Sequence, residues 1–153
     1  RNGLWGLRDA GCDEDDIILV HDGVRPLVSE RIITENIEKC KKYGYAITGM
    51  ICKEAIMQKV GDCVENIEIP RERLVRTQTP HTYPLGTLLK THEKADAKDI
   101  DGTVASCTLM AELGVTEQHL VMGSEKNGLK LTQTEDVELF KALKHTTKDE
   151  WLK

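Results

Sequence analysis

Residues 17–26, Ile-Ile-Leu-Val-His-Asp-Gly-Val-Arg-Pro, restrict the fold more than any other stretch: four apolar residues run without alternation into a polar cluster, leaving no room for a helical turn. A short apolar run of this kind, preceded by the acidic Asp13, Glu14, Asp15 and Asp16, predicts a parallel strand covered on both faces. In an open α/β sheet, ligands bind at the carboxyl ends of such strands. That end carries His21, Asp22 and Arg25, held by the flexible Gly23 and the stiff Pro26. A carboxylate there suits Mg2+ and a guanidinium suits phosphate. Spacing alone supports equally that Asp22 caps the next turn and that Arg25 pairs with an acid.

Periodicity continues the alternation expected of an α/β sheet. It predicts a helix at 2–10, a strand at 16–20, a helix at 29–43 and a strand at 45–51. In the second helix Ser29 serves as N-cap, Ile32, Ile33, Ile37 and Cys40 make one apolar face, and Gly44 stops it. Residues 52–82 break the pattern with two short extended pieces, Ile56 to Lys59 and Val64 to Ile69, parted by the turn-prone Gly61-Asp62. Beyond Pro80, the spacing of Leu85, Leu88 and Leu89 predicts a helix from Thr82 to Glu93. A further helix at 103–113, a strand at His119–Met122 and a helix at Glu135–Leu143 complete the chain.

With 21 basic against 26 acidic residues and no long basic run, a nucleic-acid surface is not expected. No stretch approaches the roughly 20 apolar residues needed to span a bilayer, so a soluble protein with no membrane association is expected. Five cysteines without Cys-x-x-Cys spacing fit reduced thiols and a cytoplasmic location.

Three motifs in order carry a family resemblance. His21-Asp22-Gly23-Val24-Arg25-Pro26 resembles the His-Asp-[Ala/Gly]-x-Arg-Pro signature of the cytidylyltransferases that make 4-diphosphocytidyl-2-C-methylerythritol for isoprenoid synthesis, and of relatives that make CDP-ribitol. Ile69-Pro70-Arg71, then Arg76-Thr77-Gln78-Thr79-Pro80-His81, resembles the family's arginine that leads, eight residues on, into Thr-Pro-Gln. Gly123 to Thr132, followed by Glu135-Asp136, resembles its closing Asn-x-Lys-[Val/Ile]-Thr segment.

The resemblance implies a three-layer, Rossmann-like nucleotidyltransferase fold of the GT-A type with a protruding β-arm at 52–82. It also implies a homodimer joined through that arm. Residues 1–153 would then be the C-terminal two thirds of one cytidylyltransferase domain. The family's glycine-rich CTP loop is not among these residues, so the isolated chain is expected to be inactive. The implied substrates are CTP and a polyol phosphate, either ribitol 5-phosphate or 2-C-methyl-D-erythritol 4-phosphate. Lys130 aligns with a catalytic lysine near the α-phosphate. Arg71, with Arg73 competing for the alignment, aligns with an arginine that reaches the acceptor phosphate of the neighbouring subunit. Asp22, Gly23, Arg25, Gln78 and Thr79 are the implied substrate-binding residues, and Asp22 the implied Mg2+ ligand.

Three departures qualify the match. His81 stands where the family has glutamine. Glu54-Ala55 replaces an Asp-Thr pair at the arm base, and Thr103-Val104-Ala105-Ser106-Cys107 lacks the first acid of the family segment. Neither of the last two touches Asp22 or Lys130, so the resemblance implies intact transfer chemistry with an altered acceptor pocket, which shifts weight towards an enzyme of the ribitol type. The alternative is a dimerising α/β module that keeps the fold without catalysis.

Overall fold

The computed structural model describes residues 2–100 and 102–145. Helix α1 (Asn2–Asp9) leads into strand β1 (Ile17–Val20), then α2 (Glu30–Tyr43) and β2 (Ala46–Ile51). A hairpin, β3 (Met57–Val60) and β4 (Cys63–Asn66), follows, with a 3-10 turn at Arg71–Arg73. The long strand β5 (Val75–Pro84), helices α3 (Leu85–Asp96) and α4 (Ser106–Glu112), strand β6 (His119–Met122) and helices α5 (Glu125–Gly128) and α6 (Thr134–His145) close the order.

The main sheet runs β1-β5-β2-β6. Side chains alternate across it, so neighbours on one strand pack on opposite layers. Ile47 and Tyr83 join Leu4 of α1, Leu85, Leu88 and Leu89 of α3, and Cys107 and Met110 of α4. On the other face Ala46 and Val121 meet Cys40 of α2. Helices therefore cover both faces, as expected for a layered α/β fold. Each fully buried leucine contributes about 2 kcal/mol of apolar transfer free energy.

Helix α2 begins and ends where its sequence directs. The Ser29 side chain accepts the Ile32 N–H, and Gly44, at φ 88°, places its N–H on Cys40 O at 2.7 Å. Its innermost stripe is Ile32, Asn36 and Cys40. The buried Asn36 is satisfied: its Nδ2 donates to Ile32 O and to Thr48 Oγ1, both at 2.8 Å, and its Oδ1 accepts from Thr82 Oγ1 at 3.3 Å. Thr48 Oγ1 in turn donates to Pro80 O at 2.8 Å.

Three expectations need correction. Strand β1 is not a parallel strand buried on both faces: it lies antiparallel to β5 at a sheet edge and is only half-buried. A four-residue apolar run records burial tendency and not the direction of its neighbour. Second, residues 82–84 are strand, and the helix starts at Leu85. Pro80 reads as a breaker in sequence, yet β5 accommodates it where the β2 register shifts between Ile47 and Gly49, an irregularity that removes the need for its missing N–H. The Thr79–Pro80 peptide is cis.

Third, the protrusion ends earlier than residue 82. Val75 already pairs with Ile51 in the main sheet, and the Cys52 N–H to Leu74 O bond of 2.9 Å closes the base. The hairpin beyond that base turns at Gly61-Asp62, with Gly61 at φ 60°, and all eight strand residues are exposed. Its apolar Met57, Val60 and Val64 have no core of their own.

The two outer edges of the main sheet differ. Along β6, Lys39 and Arg31 from α2 occupy the carbonyls of Leu120 and Met122 at 2.5 and 3.0 Å. Such basic side chains blunt an edge. Among the described residues, β1 has a strand neighbour on one side only.

Candidate functional site

The carboxyl end of β1 delivers Asp22 to a point where two other segments converge. Arg25 Nε donates to Asp22 Oδ2 at 3.0 Å, and Lys130 Nζ lies 3.4 Å from the same oxygen. Arg25 is largely buried at 12% side-chain exposure, whereas Lys130 keeps 45% and remains open to a ligand. Burial raises the cost of ionising Asp22, but the Arg25 hydrogen bond and the Lys130 charge outweigh it and hold the carboxyl below its ordinary value of 3.8. Above that value the carboxylate is ionised. This contribution to stability is lost only as pH falls through the lowered folded value.

The loop carrying these groups is pinned from below. Thr79 Oγ1 accepts the Asp22 N–H at 3.0 Å and contacts His21 Nδ1 at 3.0 Å. His21 Nε2 bonds Arg25 O at 2.9 Å; a carbonyl can only accept, so Nε2 carries a proton. Lys130 is placed from both sides, because Arg25 Nη1 donates to Gly128 O at 2.5 Å and the Leu131 N–H to Val24 O at 2.8 Å.

The residues expected from sequence thus fall into three groups. Asp22, Arg25 and Lys130 are assembled in direct contact, with Gly23 in the connecting turn. Thr79 and Gln78 lie behind them: Thr79 is 9% and Gln78 2% exposed, and the Gln78 amide is spent on Ser124 O and Asn127. Gln78 therefore lies buried behind the Asp22–Arg25–Lys130 cluster, with its amide hydrogen-bonded inside the protein. Arg71 stands apart on the exposed turn at the arm base, donating to Lys53 O at 3.1 Å.

Sequence reasoning gave no role to His21, Asn127 or Arg76. Arg76 bonds Glu125 at 2.8 Å and lies 4.0 Å from Glu54, linking α5 to the arm base. Each stood as a polar residue within a motif; what was not visible is which of them the fold buries.

His81 is 2% exposed, with Nδ1 3.0 Å from Ser106 Oγ and Nε2 buried without a hydrogen bond. Desolvation pushes its pKa down to about 4, so the ring is neutral at ordinary pH. Two departures from the family pattern, His81 and the segment holding Ser106, thus touch each other.

Asp22 also passes a simple test for a divalent cation. Its Oδ2 faces Arg25 and Lys130, while Oδ1 makes no hydrogen bond among the described residues. Among those residues no group of three or more His, Cys, Asp or Glu side chains gathers, so further ligands would be substrate oxygens and water, a usual arrangement for Mg2+.

Beyond the end of β1 the layered α/β fold thus gathers a carboxylate, a guanidinium and a half-open ammonium, groups of the kind that suit phosphate. The family described as IspD, 2-C-methyl-D-erythritol 4-phosphate cytidylyltransferase, matches residues 3–145, and the chain belongs to this family.

It is 41% identical over 144 residues to a ribitol-5-phosphate cytidylyltransferase of Lacticaseibacillus paracasei, covering 92% of this chain and 60% of that protein. It is 38% identical over 137 residues to a 2-C-methyl-D-erythritol 4-phosphate cytidylyltransferase of Acidobacterium capsulatum, covering 87% and 56%. The crystal structure of 2-C-methyl-D-erythritol 4-phosphate cytidylyltransferase from Thermus thermophilus superposes with a TM-score of 0.75 at 27% identity, over 91% of this chain and 66% of that one. The chain spans 56% to 60% of the length of these two curated relatives.

Proposed function

We propose that this chain supplies the α-phosphate and acceptor side of a CTP-dependent cytidylyltransferase that transfers CMP to ribitol 5-phosphate or a closely related polyol phosphate. A glycine-rich triphosphate loop is not among these 153 residues, which cover 60% and 56% of the two curated relatives. The observation that carries the reading is the Asp22–Arg25–Lys130 cluster at the carboxyl end of β1. In the reaction an oxygen of the acceptor phosphate attacks the α-phosphorus of CTP. The new P–O bond forms as the bond to the bridging oxygen breaks, and pyrophosphate leaves with the electron pair.

Lys130 is the residue to offset charge growing on the α-phosphate, because its ammonium is exposed beside Asp22 and the chain on either side of it is held by hydrogen bonds at Gly128 and Leu131. Arg25 holds Asp22 in place. Asp22 would hold Mg2+, which when bound neutralises phosphate charge. The ribitol preference rests on Ala55, which lacks the hydroxyl of the Asp-Thr pair expected in the isoprenoid enzymes, and agrees with the relative from L. paracasei. The test is pyrophosphate release from CTP by the protein joined to its upstream sequence. Turnover is expected with ribitol 5-phosphate in preference to 2-C-methyl-D-erythritol 4-phosphate, and the isolated chain is expected to be inactive. Robust release by the isolated chain would refute the division of labour.

The exposed hairpin cannot bury Met57, Val60 and Val64 by itself, which supports a homodimer built through it. Arg71 at its base would then bind the partner's acceptor phosphate in a bidentate way. Mixing inactive Asp22→Asn and Arg71→Ala proteins should restore up to about a quarter of parental activity, since random mixed dimers carry one intact composite site. No recovery after demonstrated subunit exchange would remove Arg71 from that role.

A further inference from the structure

The segment that carries Lys130 is wrapped around two buried amides whose orientation the surrounding atoms dictate. Gln78 Nε2 donates to Ser124 O at 3.0 Å; that carbonyl can only accept, so Oε1 must face the other way, where it takes Asn127 Nδ2 at 2.9 Å. Asn127, 1% exposed, also donates to Thr79 O at 3.2 Å, and its own N–H bonds Ser124 Oγ at 3.0 Å. The backbone closes tightly on the pair. A Cβ on Gly123 would overlap Gln78 Oε1, and one on Gly128 would stand 2.6 Å from Nε2, so a side chain at either position would displace the Gln78 amide.

From this centre the connections run directly to the proposed reacting groups. Thr79, whose carbonyl Asn127 holds, receives the Asp22 N–H on its hydroxyl. Gly128, which abuts Gln78, gives its carbonyl to Arg25, the partner of Asp22. Lys130 lies two residues further along the chain. Stability alone does not account for the pair, because Asn127 Oδ1 is buried with no partner among the described residues. Apolar side chains of similar shape would avoid that cost.

We infer that Gln78 and Asn127 are positioning residues, an amide lock that fixes the Lys130 ammonium relative to Asp22 and thereby sets where it meets the α-phosphate. The inference rests on the cytidylyl-transfer reading proposed above. It changes the part expected of Gln78 from touching substrate to placing the residue that does.

The test uses Gln78→Glu in the protein with its upstream sequence, assayed with CTP and ribitol 5-phosphate. An ionised glutamate presents oxygen to Ser124 O where a donor is needed, whereas a protonated one restores the amide's pattern of one donor and one acceptor. Relative to the parent at each pH, kcat should fall about 10- to 100-fold near pH 8 and recover towards pH 6, with both KM values little changed. In a Lys130→Ala background, followed by single turnover, the same substitution should cost less than about two-fold, because its effect passes through the lysine. Should Gln78→Glu fail to fold, Asn127→Ser, which removes the donor to Gln78, runs through the same cycle. Equal losses with and without Lys130, or a loss spread evenly over kcat and KM, would overturn the lock alone. A parent without turnover would overturn the transfer reading and the lock with it.

Discussion

Asp22→Asn is expected to lower kcat by about two to three orders of magnitude while leaving the fold intact. The substitution keeps the shape of a side chain that receives Arg25 at 3.0 Å and Lys130 at 3.4 Å, but it removes the charge that both cations face. It also removes the carboxylate proposed above to hold Mg2+ among substrate oxygens. The backbone anchor survives, because Thr79 holds the Asp22 N–H and not its side chain. Partly exposed ion pairs contribute little to stability, so the melting temperature should move by only a few degrees. A magnesium titration of the enzyme with its upstream sequence checks both sides of the claim. Turnover equal to the parent's across the whole titration would remove Asp22 from the site. A collapse of the fold would reassign it to structure.

His81→Gln carries the largest expected effect on stability. The folded protein keeps the His81 ring neutral down to about pH 4, whereas the ordinary value is 6.5. Between those values the unfolded chain binds a proton that the folded chain refuses, so stability falls as pH falls. The full contribution is present above 6.5, and about 3 kcal/mol is lost by pH 4. Glutamine, the residue expected there from the family pattern, has no proton to gain, so the slope due to residue 81 should vanish. Asp22 does not confuse the comparison, since its contribution is lost only below 3.8. Urea denaturation of the two proteins near pH 7.5 and near pH 4.5 measures the difference directly. Parallel stability curves through this window would show that His81 is hydrated or partnered in solution.

Much of this architecture is written locally. Helix α2 is legible because Ser29 and Gly44 mark its ends and its apolar stripe repeats at helical spacing, and β2 and β6 because short apolar runs lie between turn residues. Direction and burial are not local. The antiparallel pairing of β1 depends on β5, a strand arriving some sixty residues later. Strand β5 itself was obscured by Pro80, whose place in a strand depends on the irregular register of β2 opposite. The four-residue helix α5 is too short to show a period at all.

The candidate site divides along the same line. Asp22, Arg25 and Lys130 were found by motif, and the fold brings them together. The resemblance could not separate a glutamine that touches substrate from one that is buried beneath a glycine-lined loop. Gln78 needs Gly123, Ser124, Asn127 and Gly128, about fifty residues away in sequence, before its role can be read.

Phosphorus NMR follows the proposed cytidylyl transfer at this corner of the molecule atom by atom. The protein with its upstream sequence is incubated with CTP, ribitol 5-phosphate and magnesium, beside its Lys130→Ala variant. The α-phosphorus of CTP is expected to pass into a diphosphate joined to ribitol, with one pyrophosphate released for each, and the variant to form both far more slowly. CTP left unchanged by the parent, or pyrophosphate appearing without the ribitol-linked product, would contradict it.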